Sequence, residues 1–214
     1  MVSLDGFAAN SVFTWNGGAS GNWNDAANWL CDGGATDRWP GKDCVDQNNT
    51  DEVQLDGVTA EIILTSAAYV KVFKLLNNAD ITIASESTKY RLYVYGGGMS
   101  IVDSRLTFDN ADLLHSTGVN QWGCGGTLVF NGDSVLTLRK CTMQNGRVSA
   151  DKCYVVRCYE GSTFWYRYDN ELPAFDYLLD NSTFNGYGSD SRLHASGDSK
   201  ITFVGATPKM TVHN

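Results

Sequence analysis

The chain has 214 residues, 43% of them hydrophobic and 19% charged, with three prolines and 22 glycines. That balance suits one folded domain with a substantial core and excludes general disorder. The net charge of −8 is uneven: residues 1–60 hold nine acids and two bases (−7), residues 61–214 fifteen acids and fourteen bases (−1), so the concentrated basic face that a nucleic-acid partner requires is missing.

No run approaches the ~20 apolar residues that cross a bilayer, and "MVSLDGF" lacks the basic start and apolar stretch of a signal peptide. In "FTWNGGASGNWNDAANW" (13–29), Trp15, Trp23 and Trp29 stand among Gly, Asn, Ala and Asp. The stretch is too polar for a core strand and too glycine-rich for a stable helix.

The six cysteines, Cys31, Cys44, Cys124, Cys141, Cys153 and Cys158, form no CxxC pair, and His115, His194 and His213 lie far from them in sequence. Zinc-ligand spacing is therefore absent. An even count in an Asn-, Gly- and Thr-rich chain favours disulfides and an extracellular or cell-surface location. Cys31–Cys44 is the natural local pair; the other four can pair in three ways. "DCVDQNNTDE" sets Asp46, Asn48, Thr50 and Glu52 at alternate positions, a calcium candidate without the central Gly and terminal Glu of an EF-hand loop. An acidic turn is the plainer reading, and no other cofactor is expected.

Residues 1–52 read as an acidic, Trp/Gly-rich cap and residues 53–214 as one continuous body. From Val53 onward the pattern changes to short β-branched or aromatic runs, among them "EVQLDG", "AEIILT", "YVKVFKL", "YRLYVYG", "GTLVFNG" and "SKITFVG". Most alternate apolar and polar residues and are separated by Gly, Asn, Asp or Ser, the period-2 signature of strands. No segment carries an apolar stripe at helical spacing for three turns. The Gly-rich "YVYGGGMS" lies between strands and reads as a turn or bulge.

Several runs share one grammar: a polar Asp or Ser, an apolar-Thr-apolar triplet, then a turn. "ADITI", "DSRLTF", "DSVLTL" and "DSKITF" all follow it. Aligning Ile81, Leu106, Leu136, Phe164 and Ile201 gives an irregular spacing of roughly 20–30 residues with a recurring strand motif, which suggests coils stacked in a solenoid. Asn110, Asn145 and Asn170 suit turn positions with left-handed backbone geometry. The expected fold is all-β, a right-handed parallel β-helix; a β-sandwich or jelly roll is the alternative.

"TWNGGASGNWNDAANW", then Pro40, then "DEVQLDG", resembles the start of repeat modules in large secreted bacterial β-helix proteins such as autotransporter-like passengers. Trp15, Gly17, Gly18, Trp23, Asp25, Asn28, Trp29, Pro40, Asp51 and Val53 occupy the places of that pattern. The rest of the chain agrees in style with the pectate-lyase-like β-helix class, and the cysteine-bracketed loop at 31–44 is longer than the pattern needs. The resemblance implies that Trp15, Trp23 and Trp29, with Gly17, Gly18 and Asn28, cover the open first coil.

For chemistry, the densest stretch is "CYVVRCYEGSTFWYRYDNELPAFDY" (153–177). Alternation puts Phe164, Tyr166 and Tyr168 on one face and Trp165, Arg167 and Asp169 on the other, so aromatic and charged groups share an outward surface, as in glycan contacts. Trp165, Arg167, Asp169 and Glu171 are the glycan-contact candidates. A polysaccharide lyase would draw on Lys152, Arg157, Arg167, Asp169 and Asp176, a glycosidase on Asp169 with Glu171. No nucleophile elbow or phosphate loop is present. The sequence thus points to an extracellular structural or adhesive module of a bacterial surface or secreted protein, with a glycan or a second copy, stacked end to end into fibres, as partner; a carbohydrate-active enzyme or glycan-binding module on the same fold is the alternative.

Overall fold

The computed structural model describes residues 11–42, 50–115, 127–145, 147–166, 174–186 and 197–212. Alternation of apolar and polar residues builds strands almost everywhere. The N-terminal segment supplies β1 (Val12–Trp15), β2 (Ser20–Asn22), a single 3-10 turn at Ala26–Asn28 and β3 (Trp29–Cys31). Each coil then lays down three strands on three faces.

β4 (Glu52–Asp56), β5 (Thr59–Ile63) and the start of β6 (Ala68–Leu76) form the first coil. The rest of β6, β7 (Asp80–Ala84) and the start of β8 (Arg91–Val102) form the second; the rest of β8, β9 (Arg105–Asp109) and β10 (Asp112–His115) form the third. β11 (Thr127–Asn131), β12 (Val135–Arg139) and β13 (Thr142–Asn145) make the fourth, then β14 (Arg147–Ala150), β15 (Tyr154–Tyr159) and β16 (Thr163–Tyr166) the fifth. β17 (Phe175–Asp180) with β18 (Thr183–Gly186), and β19 (Lys200–Val204) with β20 (Lys209–Val212), extend two of the faces.

The first face stacks β1, β4, the second halves of β6 and β8, β11 and β14. The second is an eight-stranded sheet from β2 through β5, β7, β9, β12, β15 and β17 to β19. The third stacks the first halves of β6 and β8 with β10, β13, β16, β18 and β20. All these pairings are parallel; β3 on β1 is antiparallel. The chain is a parallel β-solenoid.

Because registers match coil to coil, inward residues form continuous columns. Ile81, Leu106, Leu136, Val156 and Tyr177 make one on the second face; Ile83, Phe108, Leu138, Cys158 and Leu179 make its neighbour, all buried. Burying large apolar side chains at roughly 1.5–3 kcal/mol each is what holds the stack together. The shared triplets place Thr82, Thr107 and Thr137 in one outward row.

The repeat phase differs from the sequence alignment at one step. Leu136 stacks on Val156, whereas Phe164 stacks on Met143 on the third face. Two strands of one coil obey the same alternation, so spacing alone confuses them.

The corners explain the polar punctuation. Asn77, Asn78 and Asp103 at one edge, and Asn110, Lys140, Glu160 and Asn181 at the other, have positive φ. At these corners the main chain still bonds to the next coil, as in Asn110 N–H to the Arg139 carbonyl at 3.0 Å. Asn110 is thus a left-handed corner as expected. Asn145 is instead in β13, where its φ is not in the left-handed region; Asn170 lies outside the described residues. "YVYGGGMS" runs inside β8, whose pairing with β6 shifts register at Val70/Val72 as the strand crosses from the third face to the first.

None of the described cysteines is in a disulfide: Cys31, Cys141, Cys153 and Cys158 are free thiols. The expected Cys31–Cys44 bridge is therefore not formed; Cys44 and Cys124 lie outside the described residues. Cys141 and Cys158 are enclosed in the core, and burial pushes both thiols up to about 12. They behave as small apolar fillers, not as nucleophiles.

Candidate functional site

Three tyrosines stand on the outer surface of the third face. In β6 and β8 the inward places belong to Ala68, Val70, Leu92 and Val94, all buried, which turns Tyr69, Tyr93 and Tyr95 outward. Register then sets Tyr69 beside Tyr93. The three rings are parallel to within 7°, with centroids 4.7 Å (Tyr69–Tyr93), 5.9 Å (Tyr93–Tyr95) and 6.2 Å (Tyr69–Tyr95) apart. Stacking of this kind contributes about 0.5–1.5 kcal/mol per pair beyond area burial.

The stack has a charged border. Arg91 Nη1 reaches the Tyr93 hydroxyl at 3.4 Å, and that contact, with the nearby Asp112, holds the guanidinium firmly protonated. Burial and then Tyr93 push the Tyr69 phenol above its ordinary value, so it is neutral at physiological pH. Asp112 accepts the Thr142 N–H at 2.8 Å and lies 3.7 Å from the Lys89 ammonium. An aromatic surface rimmed by hydrogen-bonding groups suits a ligand with apolar C–H faces and polar edges.

Of the glycan-contact candidates, Trp165 is half-buried on the outer side of β16, while Phe164 beside it is in the core. Arg167, Asp169 and Glu171 lie outside the described residues. The lyase candidates inside it are engaged elsewhere. Lys152 pairs with Asp133 at 2.5 Å; Arg157 pairs with Asp176 at 2.8 Å, and Lys200 adds a second cation at 3.7 Å. Burial alone would raise Asp176, but Arg157 and Lys200 outweigh it and hold the carboxyl below its usual range. These pairs join neighbouring coils and do not converge on one point.

Among the calcium candidates, Glu52 is on β4, and Asp46 and Asn48 lie outside the described residues. The Glu52 carboxylate accepts bonds from Lys74 and, at 2.6 Å, from Gln54. Burial works to raise its pKa, and those two bonds overcome it. No group of three or more metal-ligating side chains occurs among the described residues.

The tryptophans form a separate cluster at the first coil. Trp15, Trp23 and Trp29 are buried, with Trp29 edge-on to both others at 5.0 Å and Trp23 stacked on Phe73 at 6.3 Å. Each indole N–H donates to a carbonyl: Trp15 to Gly18, Trp23 to Pro40 and Trp29 to Trp23. Gly17 is required because a Cβ there would lie 2.5 Å from the Trp15 ring, and Gly18 takes the left-handed φ of 66°. Asn28 Nδ2 bonds the Asn22 carbonyl at 2.9 Å.

No known family matches this chain, and no curated protein or solved structure is similar to it. The likeness to β-helix surface proteins therefore stands as a likeness of fold. No helix among the described residues is long and apolar enough to cross a membrane.

The sequence reading missed the tyrosine stack. Its signal was available in "RLYVYG", where Leu92 and Val94 must point inward and so expose Tyr93 and Tyr95. What was lacking was the coil phase that brings Tyr69 alongside.

Proposed function

We propose that this chain is a non-catalytic structural and adhesive module of an exported bacterial surface protein, similar to autotransporter-like passengers, which contacts glycans through the Tyr69–Tyr93–Tyr95 surface. The observation that carries this reading is the parallel tyrosine stack held on the outside of a solid-cored, coil-on-coil scaffold. The cysteines lend no support to export, which rests on the N-terminal Trp/Gly pattern alone. A glycan array on the purified chain, with calcium and with chelator, tests the reading. Selective binding by the wild type and a roughly two- to tenfold weaker response from a folded Tyr93→Ala variant are expected, since an aromatic contact is worth about 0.5–1.5 kcal/mol. A blank array in both conditions would sink it.

A second role, end-to-end association, is favoured by where apolar surface is left open. The large exposed hydrophobics among the described residues are Leu30 on β3 and Phe203 and Val204 on β19, at opposite ends of the stack. Phe203 continues the Ile83–Leu179 column yet is 49% exposed. Unpaired strand edges with apolar side chains recruit further strands. Light scattering across a concentration series should show assembly that Phe203→Asp abolishes; a monomer at every concentration would refute association.

A further inference from the structure

The border of the tyrosine stack carries charge of one sign. Along β8 the outward places are Arg91, Tyr93 and Tyr95, and Lys71 stands beside Tyr95, one residue past the Val70–Val94 pair and just before β6 shifts register. The acids that act on these two cations each have a lysine of their own. Asp112, the register neighbour of Arg91, lies 3.7 Å from Lys89; Glu52, which feels the Lys71 charge, is bonded by Lys74. Arg91 and Lys71 make no ion pair among the described residues. Four cations less two acids leave a local excess of two positive charges, on a chain whose net charge is −8.

The hydrogen-bonding groups agree in sense. Arg91 Nη1 donates to the Tyr93 hydroxyl at 3.4 Å, and a phenol that accepts through its oxygen still offers its O–H as a donor. Tyr69 keeps its proton, since burial and Tyr93 hold that phenol above its ordinary value. The Asp112 carboxylate, the acceptor beside Arg91, is taken by the Thr142 N–H at 2.8 Å. A surface of donors and cations complements an acceptor-rich anion, and a guanidinium matches the paired oxygens of an oxyanion.

We infer that the tyrosine stack selects acidic glycans, whose carboxylate or sulfate groups are received by Arg91 and Lys71 while the phenols meet the sugar between them. The inference deepens the glycan-contact reading above and rests on it. Arg91 and Tyr95 are four residues apart on one strand, about 13 Å, so a single anion cannot touch both cations. Two charges on one chain can, with Tyr93 between them. A chain with an acidic group on every sugar or every second sugar supplies that pair. A neutral chain leaves both cations without a partner.

The test is isothermal titration calorimetry at low salt with tetrasaccharides of oligogalacturonate (carboxylate), chondroitin sulfate (carboxylate and sulfate) and cellulose (neutral). An acidic ligand should bind on the order of tenfold tighter than the neutral one, as two linked contacts engage together. That lead should shrink in about 1 M salt, where the Debye length falls to about 3 Å. Which acidic ligand leads tells carboxylate from sulfate recognition. Arg91→Gln and Lys71→Gln should each weaken acidic binding roughly threefold to tenfold, between an exposed ion pair and a charge-assisted hydrogen bond, and leave neutral binding unchanged. Tyr93→Phe, which keeps the ring and removes the hydroxyl, should weaken acidic binding as well. Galacturonic acid alone should bind far more weakly than its tetramer. Equal or tighter binding of the neutral ligand, acidic binding unmoved by both glutamine variants, or a monomer as tight as the tetramer overturns the inference, while glycan contact at the tyrosines survives. Absence of binding by every glycan defeats the contact reading and its charge selectivity together.

Discussion

Replacing Trp23 by alanine is expected to destabilise the protein by about 3–5 kcal/mol, the range for deleting a fully buried large aromatic. Trp23 has no exposed surface, stacks on Phe73 of the second coil and meets Trp29 edge-on. Its indole N–H also satisfies the Pro40 carbonyl at 3.0 Å, so the variant leaves both a cavity and an unpaired acceptor. Each coil contacts only its neighbours, and damage should stay near its origin. Hydrogen exchange would therefore show β1, β2 and β5 losing protection first, with β12 and β15 nearly unchanged. That pattern is what a capping role requires. A loss below about 1 kcal/mol, or equal loss of protection in every coil, would show that Trp23 does not close the end of the stack.

The fold was legible because strand alternation is a local property. Ile81, Leu106 and Leu136 point inward, and Thr82, Thr107 and Thr137 outward, for reasons each strand carries in itself. Coil phase is not local. The residues between one strand and its stacking partner vary from coil to coil, with a longer corner at 85–90, and several strands per coil obey the same pattern. Hence Leu136 was matched to Phe164 when its partner is Val156. The site suffered for the same reason: each tyrosine was visible as outward, but the stack exists only once Tyr69 and Tyr93 are in register.

The cysteines failed differently. An even count says nothing about where each thiol falls in a column. Cys158 takes a place that Leu138 and Leu179 fill on either side. Cys141 stands just before Thr142, and the corresponding places before Thr163 and Thr183 hold the buried Ser162 and Ser182. Small buried slots at a tight corner select small side chains, and cysteine is one of them.

The acidic N-terminal excess also conceals a structural group, and removing it should have the second large effect. Asp51 is 4% exposed, a buried carboxylate within the segment that reads as an acidic cap. One of its carboxylate oxygens accepts the Gly41 N–H at 2.8 Å; the other lies 3.5 Å from the Arg38 guanidinium. Arg38 in turn sits 5.7 Å over the Phe13 ring. Asp51→Ala is expected to cost about 1–3 kcal/mol in urea unfolding, because it leaves the Gly41 amide without its acceptor and takes a carboxylate from beside the Arg38 guanidinium. The 3.5 Å separation makes the ion pair the lesser contact, so Arg38→Ala should cost less than Asp51→Ala, and the double variant less than the sum. Strict additivity would mean that the two side chains are uncoupled. The consequence reaches the face proposed to contact glycans. Gly41, with a φ of 83°, lies so close to the Tyr69 carbonyl that a Cβ would approach it to 2.3 Å. Loosening the loop that Asp51 holds frees the main chain beneath the first ring of the stack. Glycan affinity in Asp51→Ala should therefore fall even at temperatures where the solenoid remains folded.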